Sequence, residues 1–355
     1  MAGVVEYDRV NERYKSMISS AKCSPLVSIL IPSYNAERWI EEAIASALQQ
    51  TWENCEIVVV DDGSTDRTLE IAERFQSPKV KIHQQDNQGA SSARNLAFEL
   101  SSGDYVMWLD ADDMMSSDKI ERQVERIRLL ESERFMISCG WKHFHYDPQR
   151  GGLNRNSLWA DLTREEWLYR KLANNDHQQT ATWLISRELA LEAGKWDERM
   201  ITDDDGDFFL RVLMVSNGVK FVEGPLVYYR RTPFGSWGDL TSCPLRLQAQ
   251  WLSMQSHVRN LLFLEDSPRS REACINFLQR WFHHYYKDEV ELVSEFESLA
   301  SDLGGELQPP RLAWKYRWVQ KIFGWSTAKW ASQVVPQVKS RAIDRWERRK
   351  FDKSS

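Results

Sequence analysis

The sequence predicts an α/β protein built on a parallel, doubly wound sheet and followed by a helical extension. Three observations carry this. Short continuous apolar runs alternate with stretches of helical spacing between residues 27 and 130, the pattern of strand–helix–strand units. Acidic clusters close two of the runs, and open α/β sheets bind ligands beyond the carboxyl ends of their strands. From about residue 245 only helical stripes remain.

The elements follow in order. Val27-Ser28-Ile29-Leu30-Ile31-Pro32 reads as a buried strand ended by proline. Trp39, Ile40, Ala43, Ile44, Ala47 and Leu48 recur with helical spacing. Glu56 to Val60 is a second strand, closing on Asp61-Asp62-Gly63-Ser64, and Leu69, Ile71, Ala72 and Phe75 mark a helix. Val80 to His83 is a third strand, Ala93 to Leu100 a helix, and Tyr105 to Leu109 a fourth strand. Ile120, Val124, Ile127 and Leu130 give one more helical stripe. Further strands are expected over 135–146 and 219–229. The extension, 241–303, carries stripes such as Leu247, Trp251, Met254, Val258 and Leu261. Asp302 to Pro310, with paired glycines and prolines, reads as a linker. The expected organisation is a polar lead-in (1–24), a catalytic-type α/β domain (25–240), the extension (241–303), and a linker with a basic tail (304–355).

Composition narrows the function classes. The 355 residues are 42% hydrophobic and 28% charged, as in a folded protein of one large or two medium domains. A net charge of −6 gives no reason to expect nucleic acid as a partner. No apolar run reaches the 18 residues of a membrane-spanning helix, and the first residues lack an apolar signal core. Cys23, Cys55, Cys139, Cys243 and Cys274 are widely spaced, which suits free thiols in a reducing compartment. The expected location is cytoplasmic, either free or peripheral on the cytoplasmic membrane face. The tail differs from the rest: residues 311–355 hold 12 Lys and Arg against 3 Asp and Glu. Trp314, Trp318, Ile322 and Trp325 share one helical face there, with Lys321 among them. Two readings stand equal: a helix lying on an anionic membrane surface, or one packed on the acidic body.

Asp110-Ala111-Asp112-Asp113 follows the fourth strand directly. Carboxylates gathered at a strand end can hold a hard divalent cation that also binds phosphates; they can equally form an acidic turn that caps a helix. A second cluster, Asp203-Asp204-Asp205-Gly206-Asp207, precedes the apolar run Phe208-Phe209-Leu210. Crowded carboxylates repel, which raises the pKa of one of them; the bland alternative is an acidic helix start. His143, His145, His283 and His284 lack carboxylate partners nearby in sequence and read as packing or surface residues. Trp141, Trp159, Trp167 and Trp183 lie between the clusters, either as a sugar-stacking wall or as core.

Four blocks resemble family 2 glycosyltransferases in order and spacing: Val27 to Glu37, Val58 to Asp66, Gly89 to Asn95, and Gly103 to Asp113. The match runs from about 27 to 236. The resemblance implies a GT-A fold with a Rossmann-like mixed central sheet and flanking helices. It also implies a nucleotide-sugar donor, and Mn²⁺ or Mg²⁺. By resemblance Asp61 reads the nucleobase, where a carboxylate accepts the uracil N3–H of a UDP-sugar. Pro32, Ser33, Tyr34 and Glu37 line the nucleoside, Arg94 faces a phosphate or base edge, Asp110 faces the ribose or a water of the metal, and Ala111 belongs to the nucleotide site. Asp112 is the first choice as metal ligand and Asp113 the second. Gly194 to Glu198 resembles the family's lead into its catalytic pair, here Asp204-Asp205, with Asp205 as the general base of an inverting transfer. The register among Asp203, Asp204 and Asp205 stays open. Tyr229 to Ser236 resembles a diphosphate-covering loop in which Thr232 stands where the family has histidine, so closure falls to Arg230 or Arg231.

The resulting expectation is a metal-dependent inverting glycosyltransferase. Its acceptor is a glycan or lipid-linked hydroxyl in cell-surface polysaccharide synthesis. A nucleotidyltransferase is the alternative enzyme, although Ile31 to Asn35 lacks the glycine-rich basic loop it would use. A non-catalytic, membrane-docked scaffold is the third reading.

Overall fold

The structure, a computed structural model, describes residues 24–231, 243–286, 289–310, 312 and 314–351. The polar lead-in, all but its last residue, and the loop from Thr232 to Ser236 lie outside the described residues.

The first half alternates as the sequence predicts. It runs β1 (Val27–Ser33), α1 (Ile40–Leu48), β2 (Cys55–Asp62), α2 (Thr68–Glu73), β3 (Val80–Gln85), α3 (Ala90–Leu100) and β4 (Tyr105–Trp108). Then come β5 (Met114–Met115), α4 (Lys119–Arg128), β6 (Met136–Phe144), β7 (Gly152–Leu153), α5 (Arg164–Asn174), β8 (Ile185–Ser186), α6 (Arg187–Ala193), α7 (Asp204–Val215) and β9 (Val219–Arg230). The chain ends on α8 (Pro244–Leu264), α9 (Pro268–Tyr285), α10 (Val290–Asp302) and α11 (Trp314–Phe351).

β1 and β2 are buried along their whole length, which explains their unbroken apolar runs. The main sheet has the order β3-β2-β1-β4-β8; β1 to β4 are parallel and β8 is antiparallel to β4. The two later strands do not extend this sheet. β6 and β9 pair in parallel at the centre of a second sheet, β5-β9-β6-β7. Because β5 directly follows the Asp110–Asp113 turn and pairs with Val227 and Tyr228, it ties that turn to the end of β9.

Side chains alternate across β1 and β2, so the two faces of the sheet feed two cores. Val27, Ile29, Ile31, Ile57 and Val59 pack on one side with Ile40, Ile44 and Ile120. Leu30, Val58, Val60 and Trp108 pack on the other with Ala93, Phe208 and Phe209. That second core continues without a break into Leu247, Trp251, Phe277 and Phe296 of the extension. Most of the tryptophans between the acidic clusters belong to these cores: Trp141, Trp167 and Trp183 are buried, and Trp159, partly exposed, stacks on Phe221 at 5.5 Å.

The tail departs from the expected single face. Gly324 has φ 82° and ψ 175°, which breaks α11 between Ile322 and Trp325. Trp325 is buried edge-on to Tyr286 at 5.3 Å, whereas Trp314, Trp318 and Ile322 are exposed.

Candidate active site

A cavity of about 780 Å³ opens at the carboxyl ends of β1, β2 and β4. Pro32, Ser33, Tyr34 and Glu37 line it from the loop after β1, Arg94 from α3, and Asp110, Ala111 and Asp112 from the turn after β4. Its size is that of a small-ligand site. Arg38, Trp39 and Asn87, which no family block had marked, also line it, as does Asp66, the last residue of the second block.

The pair at the end of β2 corrects the sequence reading. The cavity-lining carboxylate is Asp62, not Asp61. Asp61 is fully buried and accepts from the Ser64 amide at 3.0 Å and the Ser64 hydroxyl at 2.5 Å. Asp62 lies on the same strand face as Val58 and Val60, toward α3. There it accepts from the Gln88 and Gly89 amides at 2.9 and 2.8 Å and from Gln85 at 2.7 Å. Gly63 makes this turn possible, since it has φ 69° and a Cβ there would press on the Asn87 amide.

Arg94 is the hinge of the site. It is buried within α3, and its guanidinium lies 4.5 Å from the centre of the Trp196 ring. One end donates to Asp110 at 3.0 Å and the other to Asp204 at 2.5 Å. Burial works against its charge, but the Asp204 and Asp110 carboxylates outweigh that and hold its pKa above the ordinary value. An arginine expected to face phosphate therefore joins two carboxylates, Asp110 and Asp204, that are 94 positions apart in sequence, and it still borders the cavity.

Around Asp112 the charge is less well compensated. Burial first, and the Asp110 carboxylate second, push its pKa up to about 6. Asp113 is fully buried, with one carboxylate oxygen accepting from Gln179 at 2.6 Å and the other from the Arg230 amide at 2.8 Å. Burial, then Asp112 and Asp110, raise its pKa well above the usual range. The second-choice metal ligand therefore has both oxygens committed to the scaffold. Among the described residues no three His, Cys, Asp or Glu side chains form a protein-only metal cage. The donor set fits a cation that takes one or two carboxylates and completes its shell with phosphate and water, as Mg²⁺ does. Asp112, with Asp110 beside it, would hold such an ion.

Arg230 also differs from its expected place. Its guanidinium is sandwiched between Trp39 and Phe144 at 4.2 and 4.3 Å. It pairs with Glu42 and donates to the Asp112 carbonyl at 2.8 Å and the His145 carbonyl at 3.1 Å. An arginine so enclosed braces the acidic turn and does not close over a diphosphate. The Arg231 side chain is exposed and its amide donates to the Phe144 carbonyl at 2.8 Å.

The second cluster starts α7. Asp203 takes the left-handed conformation, φ 53°, and its carboxylate accepts from Ser253 at 2.5 Å and Gln250 at 3.4 Å, both on α8. Gly206 leaves the space for it: any Cβ there would collide with the Asp203 carboxylate. Asp204 is taken by Arg94. Asp205 receives one outside side-chain donor, the Thr180 hydroxyl at 3.1 Å. Burial, then the Asp203 charge, raise its pKa above the usual carboxylate value, against the pull of Arg94. Asp207 pairs with Arg211 one turn on. Tyr229 senses both clusters: burial and then Asp113, Asp110, Asp112 and Asp205 raise its pKa. The Asp110–Arg94–Asp204 link brings the two clusters together; Asp112 lines the cavity, and Asp205 is not among its lining residues.

A family model described as Glycosyl transferase family 2 matches residues 28–192. Residues 28–192 therefore form a domain of glycosyl transferase family 2. Among its relatives is the uncharacterized glycosyltransferase EpsJ of Bacillus subtilis, 31% identical over 62% of this chain and 64% of that one. Another is an uncharacterized glycosyltransferase of Haemophilus influenzae, 42% identical over 46% and 63%. The chain therefore spans less than two thirds of the length of these relatives. Chondroitin synthase of Escherichia coli is 42% identical over 43% of this chain and 23% of that one. Staphylococcus aureus TarS in complex with UDP-GlcNAc superposes with a TM-score of 0.60 at 19% identity, over 78% and 80% of the chains. The mannosyltransferase PcManGT of Pyrobaculum calidifontis with GDP-Man and Mn²⁺ does so at 0.50 and 16%, over 89% and 87%. At these identities the likeness establishes the fold, which is GT-A. The family match ends before α7, so the second cluster rests on the geometry above.

Proposed function

We propose that this chain transfers a sugar from a nucleotide-sugar, a UDP-sugar, to a hydroxyl of a glycan or lipid-linked acceptor in cell-surface polysaccharide synthesis. The reaction inverts the anomeric centre and depends on Mn²⁺ or Mg²⁺. One observation carries the reading: Arg94 holds Asp110 and Asp204 together, which brings the sparsely bonded Asp205 toward the acidic turn whose Asp112 lines the cavity. Inverting transfer asks for that pairing, a donor held on one side and a base on the other. TarS was solved with UDP-GlcNAc and PcManGT with GDP-Man and Mn²⁺, which supports a nucleotide-sugar donor and a divalent ion.

The chain's residues divide the work. Asp62 and the loop 32–37 present a carboxylate and short polar groups to the nucleoside. Asp110 and Asp112 face the diphosphate side, where a bound divalent cation would neutralise phosphate charge and ease departure of the nucleoside diphosphate. Asp205, its pKa raised, takes the proton of the acceptor hydroxyl as that oxygen attacks. No enzyme nucleophile takes part, and the sugar moves in one displacement. The test is UDP binding by calorimetry with Mn²⁺ and with chelator. Tight binding only with metal, lost in Asp112→Ala, is expected. Tight binding indifferent to both chelator and Asp112→Ala would overturn the metal assignment.

A further inference from the structure

α11 presents a face that the rest of the chain leaves uncovered. Trp314, Trp318 and Ile322 stand four residues apart and so share one side of the helix; they are 81%, 60% and 67% exposed. Arg317 and Lys321 fall on the same side and are exposed too. Beyond the break at Gly324 the helix is fastened to the body. Trp325 and Ala328 are buried, and Lys329 Nζ donates to the His284 carbonyl at 2.7 Å. The first stretch buries Tyr316 but leaves its Trp314, Trp318 and Ile322 side uncovered, whereas the second packs Trp325 and Ala328 and exposes Trp330.

A cluster of exposed large apolar side chains marks a docking surface, and its chemistry selects the occupant. Tryptophan, with an apolar ring and a polar N–H, suits the boundary between lipid headgroups and chains. The interleaved Arg317 and Lys321 call for an anionic surface. Residues 311–355 carry a net +9 and the whole chain −6, so the remainder is −15. An anionic bilayer repels the body and attracts this helix, which fixes the approach. Among the described residues no helix is long and apolar enough to cross a membrane, which fits lying on the surface. A second copy of the chain is a poor match for the area. The stretch before Gly324 is about ten residues, about 15 Å long, against the roughly 800 Å² per partner of a stable interface.

We propose that residues 314–323 dock on an anionic phospholipid surface. Trp318 and Ile322 enter the headgroup boundary, Arg317 and Lys321 meet lipid phosphates, and the segment after Gly324 carries the body. The test is co-sedimentation of the full chain with vesicles of phosphatidylcholine, alone or with phosphatidylglycerol, at low and high salt. Binding to the anionic vesicles is expected, weakened by salt and absent on neutral ones. Trp318→Ala with Ile322→Ala, and separately Lys321→Glu, weaken it roughly tenfold or more, with unchanged thermal unfolding. Leu252→Ala, an exposed apolar residue on α8, leaves it unchanged. Equal binding to neutral and anionic vesicles, undiminished binding by the double variant, or a concentration-dependent dimer lost on the double substitution would each overturn the proposal.

Discussion

The two acidic clusters look alike in sequence and are sorted alike in space. Each commits one carboxylate to the scaffold: Asp113 to Gln179 and the Arg230 amide, Asp203 to Ser253 and Gln250. Each gives one to Arg94, namely Asp110 and Asp204. Each leaves one with few protein donors, Asp112 and Asp205. They differ in what surrounds the remaining one. Asp112 sits beside a second carboxylate on an open cavity, an arrangement that calls for a cation. Asp205 is next to the Thr180 hydroxyl with its pKa raised, an arrangement that calls for a proton. An acidic run is therefore not a unit of function, because neighbours from distant elements decide what each carboxylate does.

The sharpest way to break this pairing is at its shared cation. Arg94→Met leaves Asp110 and Asp204 facing each other without compensation. Removing one partner of a buried pair costs about 3–5 kcal/mol, so a large fall in thermal unfolding temperature is expected, together with loss of UDP binding and of transfer. Adding Asp204→Asn to Arg94→Met restores part of the stability but no transfer.

Asp112→Ala acts on one side only. Mn²⁺-dependent UDP binding weakens by about 10–100-fold while stability changes little, as calorimetry and thermal unfolding would show. Ser253→Ala tests the scaffold carboxylate of the second cluster. It leaves Asp203 short of a donor, which costs about 1–2 kcal/mol, and it loosens the start of α7. The turnover rate falls while UDP affinity holds, and Ser253→Thr recovers part of the rate.

The smallest effect is a pH dependence. The folded-state pKa of Asp112 is raised to about 6, so the stability tied to this group is full below the ordinary carboxylate pKa and is lost as pH rises through about 6. Asp112→Asn is therefore more stable than the native chain near pH 7, by on the order of 1 kcal/mol for a partly buried group, and indistinguishable near pH 4. Urea unfolding at the two pH values reads the difference.

Much of this was legible in the sequence because it is local. β1 and β2 are buried end to end and so print unbroken apolar runs, and the loops that line the cavity follow directly from those strands. What was not legible depends on long-range contact. Asp61 and Asp62 differ only in which strand face they occupy, and a strand buried on both faces shows no alternation to tell them apart. Arg230 is captured by Trp39, Phe144 and Glu42, partners that no motif around it names. The sorting of Asp203 from Asp205 needs a left-handed residue and a serine 50 positions later. The break in α11 turns on one glycine, Gly324, that a helical stripe passes over.

The central claim is that Asp205 serves as base on a donor site it does not help to bind. The most direct measurement pairs UDP calorimetry with a single-turnover transfer assay on Asp205→Asn, in the presence of Mn²⁺. UDP affinity within about twofold of the native chain, with transfer reduced by roughly 10²–10⁴-fold, is the predicted result. Near-native transfer would contradict the account by moving the base elsewhere, and loss of UDP affinity would contradict the separation of the two clusters.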